Sequence, residues 1–413
     1  MPRLLSINFD NVLFGLVCGY AFFIPLEQIL DVWFGIDTVL KPYRVFALLI
    51  IGIFAIKLRF RATGNPQLKY DLFLYGIFAY GLIITGIRMV TSKFHLGYLF
   101  NDTFQLGLYL AVFVIMRHIN LSMARVWTII KFLSVGIVLN AMRFFYEFHI
   151  LQTYTRTGGF MDNPNYLALS LAVLLLLIIT QRVEFNTLKL KALWWFLLLF
   201  CGYVLILAGS ATSLVVLAGC LVFLWTLYPL RQKIRLAALL LGLGLALGGG
   251  GWAFLQTQAP LLLAKRVQNK RNKEDNRMPL WKGVIRASQD SYFTGLGVGQ
   301  FKGNFYRYYP EENNDLIRRI VQRNYFLSPH SDYLALLVVY GIVGLLCYLA
   351  FVFLSGRALL RNLRTALAPE HKRYYQFALM SLVALVLFGI GHENLNSALF
   401  WILLSNGSKV AFN

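Results

Sequence analysis

The sequence predicts an all-α polytopic membrane protein with about twelve transmembrane helices and one large folded loop on the outer face. Three observations predict it. First, 58% of its 413 residues are hydrophobic and mean hydropathy is +0.62; a soluble chain of this length would need a more polar surface. Second, apolar runs of roughly 18–25 residues recur from end to end, each long enough as a helix to span the ~30 Å hydrocarbon core. Third, Lys and Arg fall in short loops between these runs with a one-sided bias. A transmembrane β-barrel would alternate over ~10-residue segments, and continuous runs such as LALSLAVLLLLIIT (167–180) exclude it.

The expected spans, in order, are 11–31, 40–58, 70–88, 99–117, 124–147, 164–182, 191–208, 211–229, 234–255, 331–355, 374–391 and 394–408. The first run is too long for a cleavable signal and lacks a small-residue cleavage site, so it reads as the first span. The seventh and eighth are joined only by GSATS (209–213), a tight hairpin. The chain thus divides into nine spans over 1–255, an outer loop or cap over 256–330, and three spans over 331–413.

Charge orients the bundle. With a cytoplasmic N-terminus, the inner loops carry Lys57, Arg59, Arg61 and Lys69; Arg117 and Arg125; Arg182, Lys189 and Lys191; Arg231, Lys233 and Arg235; and Arg357, Arg361, Arg364, Lys372 and Arg373. The short outer loops carry only Lys41, Arg44, Arg88, Lys93, Arg143 and Arg156. Both termini are therefore expected inside. The net charge of +21 is spread over these loops rather than clustered on a soluble domain, which excludes a nucleic-acid binder. Cys18, Cys201, Cys220 and Cys347 lie in apolar runs without metal-ligand spacing and read as small core residues.

Residues 256–330 depart from the pattern, with thirteen Lys/Arg and six Asp/Glu on the outer side. Long loops translocate largely regardless of charge. Aromatic residues, among them Trp281, Phe301, Tyr308 and Tyr325, argue for a folded cap with short helices rather than disorder. Its basic excess suits an anionic ligand such as a diphosphate, or else anionic lipid headgroups.

Titratable groups gather at the outer boundary. His330 closes the cap and opens span ten, with Ser331 and Asp332 in the first turn, where short polar side chains cap free N–H groups. His330 reads either as an incidental interfacial residue or as a general base, a role its ordinary pKa near ~6.5 suits. TRTGGFMDNPNYLAL (155–169) precedes span six: Gly-Gly gives backbone freedom, Asn-Pro starts a helix, and Arg156 is either a snorkelling side chain or a ligand. NRMPLWKGVIRASQDSYFTGLGVGQF (276–301) holds Arg277, Trp281 and a glycine-rich turn, which could approach a phosphate but lacks the P-loop ending. Lys265-Arg266 and Arg318-Arg319 are further basic pairs able to grip phosphate oxygens. GIGHENLNS (389–397) places His392 and Glu393 at the membrane edge, either as an interfacial turn or as a second candidate base. No His/Asp/Glu cluster has metal-ligand spacing, so neither a metal nor a cofactor is expected.

Together these stretches resemble the bacterial O-antigen ligase and polymerase superfamily. The resemblance rests on His330 followed by a span with Gly341-Ile-Val-Gly-Leu345; on Arg277 ahead of Leu280-Trp281 and Gly295-Leu-Gly-Val-Gly-Gln-Phe301; and on Arg156-Thr-Gly-Gly-Phe with Asn163-Pro-Asn165. It runs from about residue 150 to 346. It implies a metal-independent inverting glycosyltransferase of the inner membrane, with its active site on the periplasmic face and an undecaprenyl-diphosphate-linked glycan as donor. By that resemblance His330 activates the acceptor hydroxyl, Arg277 binds the leaving diphosphate, and Arg156 or Arg266 is a second phosphate ligand. Many relatives carry an arginine after the Gly-Ser of the hairpin, where this chain reads Gly209-Ser-Ala-Thr-Ser213. The expected activity is ligation of O-antigen to lipid A–core. The alternatives are a polymerase that uses a second lipid-linked glycan, a protein-directed O-glycosylation ligase and, from a different class, a lipid-linked glycan transporter. No internal repeat of the kind transporters carry is visible.

Overall fold

The computed structural model describes residues 8–34, 41–60, 71–91, 96–119, 121–152, 157–161, 163–181, 187–230, 232–234, 236–242, 277–303, 307–308, 329–395 and 397–409. The described residues are helical, with no strand among them. Helices α1 (Phe9–Phe23), α2 (Ile29–Phe34), α3 (Pro42–Phe60), α4 (Asp71–Thr91), α5 (Leu96–His118), α6 (Met123–His149), α7 (Pro164–Thr180), α8 (Leu188–Ala208) and α9 (Ala211–Leu227) precede the expected 256–330 loop. That loop contributes α10 (Arg277–Asp290) and the short α11 (Gln300–Gly303). Then come α12 (Asp332–Thr365), α13 (Pro369–Phe388) and α14 (Ala398–Lys409). The ninth expected span, 234–255, has only its start in the described residues, where 236–242 is helical.

Among the described residues, five stretches are long and apolar enough to cross a membrane: Phe9–Leu26, Leu72–Val90, Met123–His149, Leu188–Ala208 and Asp332–Thr365. Pro164–Thr180 and Ala211–Leu227 are apolar but shorter. Their side chains divide by solvent. Tyr20, Tyr109, Phe113, Phe144, Tyr348, Phe351, Phe388 and Phe400 fill the core, each under 2% exposed. Val90, Phe196, Val215, Val222 and Phe353 point outward, fully or largely exposed. Helices apolar on both sides need a hydrocarbon solvent, and the chain is an all-α membrane protein.

Local signals set the helix ends. Asn163 caps α7 by accepting from the Asn165 amide, with Pro164 in the first turn, as the Asn-Pro pair predicts. Gly209 ends α8 in a left-handed conformation and Ser210 caps α9, closing the tight hairpin. Pro25 sits in a 3₁₀ turn (Ile24–Leu26), so the first span stops short of the expected residue 31. At one end of the bundle Lys57 pairs with Asp10 at 2.6 Å and Arg125 bonds Asn11, tying α3 and α6 to the start of α1. The candidate site lies at the opposite end.

The sequence predicts span ten as one continuous helix, and the structure breaks it. Gly341 has φ 65° and ψ −169° inside α12. The break releases the carbonyls of Val338 and Val339, which accept from the Leu296 and Gly297 amides at 2.8 and 3.0 Å; the Ile342 amide donates to Phe293 O at 2.9 Å. The glycine-rich turn therefore spends these amides on a broken helix, not on a phosphate. Its glycines permit this: Gly295, Gly297 and Gly299 all have positive φ, and a Cβ on Gly295 or Gly341 would strike backbone across the joint. Helix α4 holds the turn from the far side, where Thr85 Oγ1 accepts from the Val298 amide and the Tyr80 hydroxyl donates to Thr294 O, both at 3.0 Å. We expect Gly341→Ala to destabilise the protein by at least ~1–3 kcal/mol, since this backbone region is essentially glycine-only. A thermal melt in detergent measures it, and an unchanged midpoint would mean the joint does not hold the loop.

Candidate functional site

The site forms where α12 begins. The peptide before it turns sharply: His330 is half-buried with φ 51°, a left-handed conformation uncommon outside glycine. Backbone held in such a region is often found at functional sites. Helix α10 fixes the turn from behind, because Trp281 donates its indole N–H to Pro329 O at 3.2 Å. Leu280, Val284 and Ala287 of α10 pack with Phe301 and Val338 in a small core of their own. Two residues singled out in the sequence, Trp281 and His330, are thus brought to one place.

Ser331 occupies the N-cap of α12 without a side-chain cap bond. Asp332 does different work from the expected capping of its own helix. Its Oδ1 accepts from the backbone amides of Asn394 and Leu395 at 2.7 and 3.0 Å, and its own amide donates to Gly389 O at 2.8 Å. The carboxylate is fully buried, and it locks the 389–397 hairpin to the start of α12. The hairpin is therefore not a loose interfacial turn. His392 is buried and stacks on Phe388, ring centroids 4.5 Å apart. Glu393 is buried too, and its carbonyl accepts from the Tyr166 hydroxyl of α7.

An apolar cavity of about 90 Å³, open on one side, lies beside these elements. Leu74, Ile77 and Phe78 of α4, Leu106 and Leu110 of α5, and Leu336 and Val339 of α12 make its walls. Pro329, next to His330, and Glu393 stand at its edge. So does an ion pair not foreseen from the sequence, Lys302 with Asp102 at 3.0 Å. Its signal in the sequence is Asp102, the single acidic residue of α5. Among the described residues no three His, Cys, Asp or Glu side chains gather as a metal's ligand set would.

Residues 196–349 match the family model described as O-antigen ligase. Over that segment the chain is similar to the O-antigen ligase family. The matched segment holds the second half of α8, α9, α10, the glycine-rich turn, His330 and the Gly341 break. It excludes the Arg156 stretch and the 389–397 hairpin. No curated protein matches the chain. The match supports an enzyme of the O-antigen ligase or polymerase kind. Arg277 is the first residue of α10, which sets it on the element that carries Trp281. Arg156, Arg266, Lys265, Arg318 and Arg319 lie outside the described residues.

Proposed function

We propose that the protein is an O-antigen ligase: a metal-independent, inverting glycosyltransferase that moves a glycan from undecaprenyl diphosphate to lipid A–core. It would lie in the inner membrane with both termini cytoplasmic and the cap, residues 256–330, on the periplasmic face. The observation that carries the reading is His330 in a left-handed turn, directly after Pro329, which lines the apolar cavity, within the segment that matches the family. An apolar pocket bounded by α4, α5 and α12 suits the first isoprene units of a lipid donor. The diphosphate would then sit at the polar edge.

The chemistry follows. His330 takes the proton of an acceptor hydroxyl, and the oxygen attacks the anomeric carbon from the face opposite the diphosphate. The bond from carbon to diphosphate oxygen breaks, and undecaprenyl diphosphate leaves with the electron pair. Arg277 is the first cation for that charge, with Arg156 or Arg266 the second. Preorganised cations of this kind are usually the largest single catalytic term. A lipid diphosphate is already an activated leaving group, so this route needs neither nucleotide nor metal.

The test is transfer by the purified protein in detergent, given lipid-linked O-antigen with and without lipid A–core. Glycan appearing on the core is the expected result. Longer lipid-linked chains formed without core would make the protein a polymerase. No transfer to either acceptor would return the transporter reading.

A further inference from the structure

A second cavity stands beside the first at the same end of the bundle, about 230 Å³ in volume, and its lining is of another kind. Lys41, Arg44 and Gln105 supply donors; Glu27 and the Tyr43 and Tyr109 hydroxyls supply acceptors. The polar groups are held by one another. Arg44 Nε donates to the Tyr43 hydroxyl at 3.3 Å, the Tyr43 and Tyr109 hydroxyls meet at 3.0 Å, and Gln105 donates to the Tyr109 hydroxyl at 3.0 Å. Tyr43 and Tyr109 are 3% and 1% exposed, so their rings are fixed by packing. Ile24 and Met161 add an apolar patch.

We infer that this cavity is a saccharide subsite, seating a sugar ring of the acceptor glycan. Each sugar hydroxyl both donates and accepts, which a lining of mixed donors and acceptors satisfies, while the C–H face of a pyranose packs on apolar side chains. A phosphate would find the carboxylate of Glu27 in the same wall, within electrostatic reach of Arg44. Polar groups placed among membrane helices are costly to keep and mark function by default.

The position fits a transfer reaction. The two cavities share their walls. On α5, Gln105 faces the polar cavity while Asp102 and Leu106 face the apolar one. On the hairpin side, Ser397 and Ala398 line the polar cavity and Glu393 and Leu395 the apolar one. Tyr166 lines the polar cavity and hydrogen-bonds to Glu393 in the partition. A lipid-borne donor and a sugar acceptor would thus meet across one thin wall. The inference rests on the transferase reading for the word acceptor, and on the cavity alone for sugar binding.

The experiment uses the full chain in detergent with core oligosaccharide freed of its lipid, followed by saturation-transfer NMR. We expect the wild type and His330→Ala to bind alike. Gln105→Ala and Lys41→Ala should each weaken binding roughly ten-fold and raise the acceptor KM by the same factor, with the donor KM unchanged. Matching elution profiles and melting curves would show that the variants fold. No saturation transfer with the wild type, or equal binding by folded variants, would overturn the inference. Displacement of the sugar by inorganic phosphate at equal concentration would do the same, marking an anion site. Sugar binding without any transfer would sink the transferase reading and leave the subsite. Transfer with an unchanged acceptor KM in both variants would sink the subsite and leave the transferase.

Discussion

His330→Ala is expected to lower the rate of transfer by roughly 10²–10⁴-fold, the usual contribution of a positioned general base. The protein should keep its fold, because alanine adds no bulk to a turn that already accommodates a Cβ, and the side chain is only half-buried. His330→Gly provides the control. A left-handed residue other than glycine carries about 1–2 kcal/mol of strain, so His330→Gly should melt no lower than the wild type while being as inactive as His330→Ala. Loss of activity in both variants, with stability kept in the glycine one, assigns the loss to chemistry. Full activity in His330→Ala would move the base elsewhere. Glu393, which lines the apolar cavity, would then come before His392, which lies stacked on Phe388.

What the sequence discloses follows from which forces act locally. Membrane helices must satisfy their own backbone, so each apolar run marks a helix whatever its neighbours do. The ends of α7 and of the α8–α9 hairpin were equally legible, since caps act within one turn. The break at Gly341 was not. Gly15, Gly52 and Gly76 also sit in helices, with nothing near the place a Cβ would take, and no local feature sets Gly341 apart. Its neighbour is the 295–299 turn, more than forty residues away, and only the fold brings them together. The same distance hides the use of the glycine-rich turn: in the sequence its amides are open to a phosphate, and only the fold gives them to α12.

The candidate site divides in the same way. His330 and Trp281 were visible as unusual residue types at a boundary, and the fold joins them through Pro329 O. Asp332 was visible but misassigned, because an acidic residue in a first turn has an ordinary local use and its actual partners lie sixty residues on. The polar cavity could not be read at all. Glu27, Lys41, Arg44 and Gln105 come from three segments of a region that resembles the family only as apolar spans, and each alone looks like a residue near a membrane surface.

Asp332→Ala should be the most damaging single change at this end of the protein. It removes the shared acceptor of two amides, those of Asn394 and Leu395, in a fully buried position. A buried polar group left unsatisfied costs about 1–3 kcal/mol, so the two together predict a loss of roughly 2–6 kcal/mol. Asp332→Asn keeps a carbonyl oxygen that can occupy the place of Oδ1, and it should recover most of that loss. Activity should fall with the fold rather than ahead of it. The hairpin carries Glu393 and the partition between the two cavities, and its release from α12 would open both. Melting in detergent, followed in parallel with transfer to the core, separates the possibilities. A stable but inactive Asp332→Asn would show that the carboxylate takes part in the reaction itself. A stable Asp332→Ala would show that the hairpin is held by its packing on α13 and α14, and that the buried carboxylate is not what fixes it.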